Sequence, residues 1–196
     1  MKSASRRILR LQRQILKNIR AEVRKNLGHQ SRDIRRYYEA YKREFRTKFR
    51  KSDKEELLSA CLKADIILMG DYHTFAQSQK AAVRLLSELE NADLPLAIGL
   101  EMLDSEHQEI LGKYLADEIT EKQFLELIDY EKNWGFPWQN FKPLLDFAKK
   151  NNAHVLALNK AHDSLEARDR HAAKIIVNYT AQFPKRKLFV LYGDLH

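Results

Sequence analysis

A chain of 196 residues, 44% hydrophobic and 32% charged, has the size and balance of one packed domain with an accessory segment. Its net charge of +8 is unevenly held: residues 1–52 carry 18 Lys/Arg against 4 Asp/Glu, net +14, and the remainder is at −6, which argues against a uniformly basic nucleic-acid-binding fold. The single cysteine, Cys61, excludes an intrachain disulfide and a cysteine-based metal cluster, and no apolar run approaches the roughly 18 residues of a membrane span.

Met1 to Arg10 is basic and lacks the apolar region of a signal peptide, so the expected location is cytoplasmic. From there Ile8, Leu11, Ile15, Ile19, Val23 and Leu27 recur every three or four residues among Arg and Lys, the spacing of an amphipathic helix. Gly28-His29 stops it, and Ser31 or Asp33 opens a second helix with the stripe Ile34, Tyr38, Tyr41, Phe45 and Phe49. Residues 1–52 are thus expected to form a basic helical extension. It packs on the main domain or on a second copy in a homodimer, or it meets an anionic membrane surface or nucleic acid, which would make the protein membrane-peripheral in the first of these last two cases.

The pattern changes over residues 53–196. Ser52 or Asp53 caps a short helix that turns Leu57, Leu58 and Leu62 inward and leads to a strand, Asp65 to Met69. That strand stops at Gly70-Asp71-Tyr72-His73, and the unit recurs at the other end as Leu188 to Tyr192 followed by Gly193-Asp194-Leu195-His196. An apolar run with no polar alternation is expected to be a parallel strand buried on both faces, with Asp and His in the loop beyond its carboxyl end. Between the two copies lie a helix from Ala76 to Glu90 with Ala81, Val83, Leu85, Leu86 and Leu89 inward, and a strand from Leu96 to Leu100 that runs into Glu101. Next come a helix from Asp104, another from Thr120 or Glu121 to Tyr130, the aromatic loop Trp134 to Trp138, and a helix over 140–150. A strand from His154 to Leu158 ends at Asn159, and a helix opened by Ser164 carries Arg168. The alternation predicts a mostly parallel sheet with helices on both faces. His154 precedes its strand and so sits at the wrong edge to join the others, and His107 reads as a surface residue of a polar helical face.

In such sheets ligands bind beyond the carboxyl ends of the strands. His73, Glu101, Asn159 and His196 are all expected there, a mixed oxygen and nitrogen donor set suited to a divalent cation. Glu101 has a second reading as a carboxylate opposing the dipole of the helix that follows, and Asn159 as a loop cap. Arg168, near the start of its helix, is placed to meet an anionic group.

Gly70-Asp71-Tyr72-His73, Gly99-Leu100-Glu101-Met102, the Trp134 and Trp138 loop, Ala157-Leu158-Asn159 with Arg168-Asp169, and Tyr192-Gly193-Asp194-Leu195-His196 together resemble the ChaN-like family of the haem-binding-uptake/Tiki superfamily. The similarity spans about residues 53–196 and implies a three-layer α/β/α fold. It implies His73, Glu101 and His196 as metal ligands, Asp71 and Glu101 as catalytic carboxylates, and haem or a divalent metal ion as cofactor. Two departures accompany it: Asp71 stands where the family usually has Glu, and the sequence stops on His196 where relatives continue, so the family's C-terminal part is expected to be lacking. Three functions are expected. The first is binding of haem or another small porphyrin-like molecule, with Tyr72, Asn159 and Arg168 contacting the cofactor. The second is divalent-metal-dependent hydrolysis, and the third a non-catalytic interaction module worked by the basic helices.

Overall fold

The computed structural model describes residues 2–26, 36, 39, 42, 43, 50–92, 94–161 and 163–193, which divide into two compact units, residues 1–51 and 52–196. In the first unit the long helix α1 (Lys2–Asn26) follows from the predicted periodicity. The five residues of the second predicted stripe, Ile34, Tyr38, Tyr41, Phe45 and Phe49, lie outside the described residues, as do Leu27, Gly28 and His29.

The second unit opens with α2 (Lys54–Lys63), capped by Asp53, whose Oδ1 accepts from the Glu56 backbone N–H at 2.9 Å. Cys61 is its buried residue and Leu58 is partly covered. Leu57 and Leu62, expected inward, are exposed because one narrow stripe of this helix meets the domain. β1 (Ile66–Asp71) and α3 (Ala76–Glu90) follow. The buried stripe of α3 is Gln79, Ala82, Leu86 and Leu89, so Ala81 gives way to its neighbour and a glutamine joins the apolar face.

β2 (Leu96–Asp104) is longer than predicted and carries Glu101 inside the strand. A 3-10 turn, Ser105–His107, comes before α4 (Gln108–Leu115), so the helix expected at Asp104 starts a turn later. Thr120 caps α5 (Glu121–Leu127) with a reciprocal capping box to Gln123. The short α6 (Tyr130–Asn133) begins after Asp129, which is left-handed at φ 47°. Then α7 (Trp138–Lys150), β3 (His154–Asn159), α8 (Leu165–Gln182) and β4 (Lys187–Gly193) complete the domain. Ser164 caps α8 through a bond from the Ala167 N–H.

All pairings are parallel and the strand order is β1-β4-β2-β3, so the last strand in sequence lies between the first two. Alternate residues of β2 and β4 serve two cores. Ile98, Leu100, Met102, Phe189 and Leu191 meet α3, α4, α5 and α7 on one face. Ala97, Leu188 and Val190 meet Ala172 and Tyr179 of α8 on the other. Three layers result, with one helix forming the thinner outer layer. The β3 edge is closed by a side chain: Gln108 Nε2 donates to the Val155 carbonyl and its Oε1 accepts from the Ala157 N–H, each at 2.8 Å.

β1 departs from the expectation of burial on both faces. Its pattern alternates, with Ile67 and Asp71 buried and Leu68 75% exposed. The strand sits at the sheet edge, and α8 packs over β3 and its neighbours instead of reaching it.

Candidate functional site

Strand parity assigns the two acidic residues to different neighbours. Asp71 shares the face of Ile67 and Met69, which α3 covers, and there it accepts from Gln79 Nε2 through Oδ1 at 2.5 Å. Glu101 is of opposite parity to Leu100 and Met102, and it meets α8: Arg168 Nη2 donates to its Oε1 at 2.6 Å. Its other oxygen accepts from the backbone N–H of Gly193 at 2.5 Å, where β4 ends beside it. Both carboxylates are nearly fully buried. Glu101 is therefore held inside a strand by a guanidinium and a backbone amide, and its alternative role as a partner of a helix dipole does not apply, since no helix starts there.

His73 lies between them. Its Nδ1 is 2.7 Å from Asp71 Oδ2 and its Nε2 is 3.6 Å from Glu101 Oε2. A carboxylate only accepts, so the Asp71 contact places a proton on Nδ1 and leaves Nε2 toward Glu101. The ring is clamped by aromatic neighbours, with centroids at 4.5 Å from Trp134 and 5.0 Å from Phe136. The tryptophan loop is divided between two roles: Trp138 is core, while Trp134 and Phe136 face the site.

A cavity of about 690 Å³ opens above these groups. Asp71, Tyr72, His73, Glu101, Asn159 and Arg168 all line it, so the structure brings together six of the seven residues singled out from sequence. The seventh, His196, lies outside the described residues, as does Asp194. Asn159 accepts from Arg168 Nε at 2.8 Å and so fixes the guanidinium that holds Glu101. Tyr72 is the exposed member of the set at 54%.

Sequence reasoning missed Gln79 and Lys132, the latter in the cavity wall. Gln79 left a signal: it is a polar residue in register with Ala82, Leu86 and Leu89 on a buried helical stripe. The amide of Gly193 left none, because a backbone donor is placed by strand pairing alone. Tyr192, beside the site, has its phenol pushed up to about 12, first by burial and then by the charge of Glu101.

A second acidic group adjoins the carboxyl end of β2. Among the described residues, ligand atoms of Asp104, Glu106 and His107 lie within 4.8 Å of one another. Burial raises the Asp104 carboxyl above the usual range, partly offset by His107. His107, read from sequence as a surface residue, has a side chain only 15% exposed and lies 3.8 Å from Glu106. His154 is at the opposite strand end, as expected, and bonds the Tyr179 hydroxyl at 2.9 Å.

Solved structures share this architecture at low identity. ChaN of Campylobacter jejuni, described by its cofacial haem binding, aligns with a TM-score of 0.52 at 15% identity over 75% of this chain and 77% of its own. The C-terminal region of Pasteurella multocida toxin, described as having a thiol-protease-like catalytic triad, aligns with a TM-score of 0.55 at 16% identity over 74% of this chain and 21% of its own. A toxin effector domain from Vibrio vulnificus aligns with a TM-score of 0.53 at 20% identity over 73% of this chain and 30% of its own. At such identities the likeness concerns the fold. No curated protein matches the sequence. The profile of the family described as haem-binding uptake, Tiki superfamily, ChaN matches residues 57–167, more than half of the sequence and all of β1 to β3. The chain belongs to this haem-binding-uptake ChaN family of the Tiki superfamily.

Proposed function

We propose that this protein binds haem or a related porphyrin in the cavity at the carboxyl edge of its sheet. The observation that carries the reading is the lining of that one cavity, where the flat apolar surfaces of Trp134 and Phe136 accompany the cations of Arg168 and Lys132. A porphyrin has the matching chemistry, an apolar plane with acidic substituents, and about 690 Å³ falls within the roughly 300–1,000 Å³ of cofactor pockets. Family membership and the haem bound by ChaN of Campylobacter jejuni support the same ligand class.

The donor set points to the residue that would hold the iron. Both ring nitrogens of His73 face carboxylates, and the adjacent Tyr72, 54% exposed, is the tyrosine on the cavity wall. Tyr72 would hold the iron of such a group through its phenol oxygen, and Arg168, positioned by Asn159, would meet an acidic substituent. Bound haem would supply an iron that accepts phenolate oxygen. Titration of haem into the full-length protein is expected to give a saturable Soret shift that moves in Tyr72→Phe and weakens in Arg168→Lys. No shift, or a shift identical in Tyr72→Phe, overturns the reading.

A second reading, divalent-metal-dependent hydrolysis, is favoured by the pair His73 Nε2 and Glu101 Oε2. Their separation of 3.6 Å suits two donors of one cation, with Asp71 orienting the imidazole as carboxylates do behind metal-bound histidines. His73, Glu101 and His196 would be the ligands. A bound cation would supply Lewis acidity and a more acidic water; Glu101 would hold it through Oε2 while Arg168 steadies its other oxygen, and Asp71 would position His73. Stoichiometric metal in the purified protein that disappears in His73→Ala, without a Soret response to haem, would establish this reading in place of the first.

A further inference from the structure

We infer that α1 is a docking helix for an anionic lipid surface, independent of what the cavity binds. Between residues 7 and 18 every side chain is exposed, including Ile8 at 57%, Leu11 at 63% and Ile15 at 50%. At about 100° per residue, Ile8, Leu9, Leu11, Ile15 and Leu16 fall within an arc of roughly 160°, while Arg10, Arg13 and Lys17 fall on the opposite side and Arg7 at the border. Over its whole length the helix holds nine Lys/Arg against one acid, Glu22. The first turn has no acidic residue to favour the helix dipole. A helix that leaves its apolar arc in water is marginal by itself, so it requires an apolar medium for one face and negative charge near the other. The interface of an anionic membrane supplies both in the correct order, with the apolar arc in the acyl boundary and the arginines among the headgroups.

Charge decides against the other occupants. A nucleic acid would neutralise the basic arc and leave the five apolar side chains in water, with no base-stacking aromatic residue in the helix to compensate. A second copy would cover the apolar arc but bring two strongly basic helices together.

The test is sedimentation of the full-length protein with vesicles of phosphatidylglycerol and phosphatidylcholine in equal parts, against phosphatidylcholine alone. Partitioning onto the anionic vesicles is expected to be stronger by at least about tenfold at low salt. It should be lost in Ile8→Asp/Ile15→Asp and in Arg10→Glu/Arg13→Glu, and kept in Ile8→Leu/Ile15→Leu, which preserves the helix and its apolar arc. Haem titration of each variant gives an independent readout of the second unit. Equal binding to both vesicles overturns the inference, as does binding that survives Ile8→Asp/Ile15→Asp. So does binding to duplex DNA or self-association in the absence of vesicle binding.

Discussion

Arg168 ties the outer helical layer to the middle of the sheet: from α8 its Nη2 donates to Glu101 Oε1, 2.6 Å away on β2. The carboxylate is almost fully buried and the guanidinium about four-fifths so, hence the pair is desolvated at one end and steadied at the other. Removing one member of such a pair leaves an uncompensated buried charge. Arg168→Ala is expected to cost about 3 kcal/mol, at the lower end for buried pairs because the arginine retains some solvent. The double variant Arg168→Ala/Glu101→Gln should recover part of that loss. Urea denaturation of the four combinations measures the coupling, and strict additivity would show that the two groups do not stabilise one another.

Gln108 completes the β3 edge with two bonds to the backbone of Val155 and Ala157. Gln108→Leu keeps the bulk and loses both, so a loss of about 1–3 kcal/mol is expected, together with faster amide exchange at Ala157. Unchanged exchange there would mean that the edge is protected by something other than this side chain.

Asp104 makes stability depend on pH in the unusual direction for a carboxyl. Its folded-state value is raised above 3.8, chiefly by burial, with Glu106 reinforcing the shift and His107 opposing it. As pH rises through 3.8 the unfolded chain releases a proton that the folded chain still holds, so folding stability falls until the folded group also ionises. Below that window the group contributes nothing. Asp104→Asn is expected to raise the denaturation midpoint at neutral pH and to leave it unchanged at the acid end of the range. A lower midpoint at neutral pH would show that the ionised carboxylate is instead stabilised in place.

Gly99 is required by packing. A Cβ at this position would lie 2.7 Å from Leu158 Cδ1 and 3.3 Å from Val190 Cγ2. Leu158 is fully buried and cannot swing clear without disturbing the core beneath α8. Gly99→Ala is therefore expected to destabilise by about 1–3 kcal/mol. Thermal unfolding tests it, and a neutral or stabilising outcome would mean that Leu158 has room to adopt another rotamer.

Much of this fold was legible in the sequence because its signals are local. Asp53, Thr120 and Ser164 cap helices for the reason their side chains suggest, and the four strands follow apolar runs. His73, Glu101, Asn159 and Arg168 share one cavity because each lies toward or just beyond the carboxyl end of a parallel strand, or in the first turn of the next helix, and chain direction alone puts those positions at one edge. What was not legible depends on order in space. An apolar run shows that a strand is buried and leaves its place in the sheet undetermined, so the exposed Leu68 of edge strand β1 could not be foreseen. Glu101 looked like the residue after a strand because its charge ended the apolar run; the bonds from Arg168 and Gly193 let β2 continue to Asp104. Leu57 and Leu62 look like core from residue type, and only the narrow seat of α2 shows otherwise.

The interposition of β4 between β1 and β2 has a consequence for how the chain acquires its shape during synthesis. A ribosome makes β1 first, yet the strand it pairs with among the described residues emerges more than a hundred residues later. Until then β2 and β3 can pair with each other, while β1 has an unmet edge and Glu101 lacks the amide that Gly193 will supply. Sheet closure and completion of the cavity are therefore one late event, governed by the slowest and longest-range contact in the domain. Nascent chains arrested before Lys187 should hold a β2-β3 nucleus with β1 still vulnerable to protease.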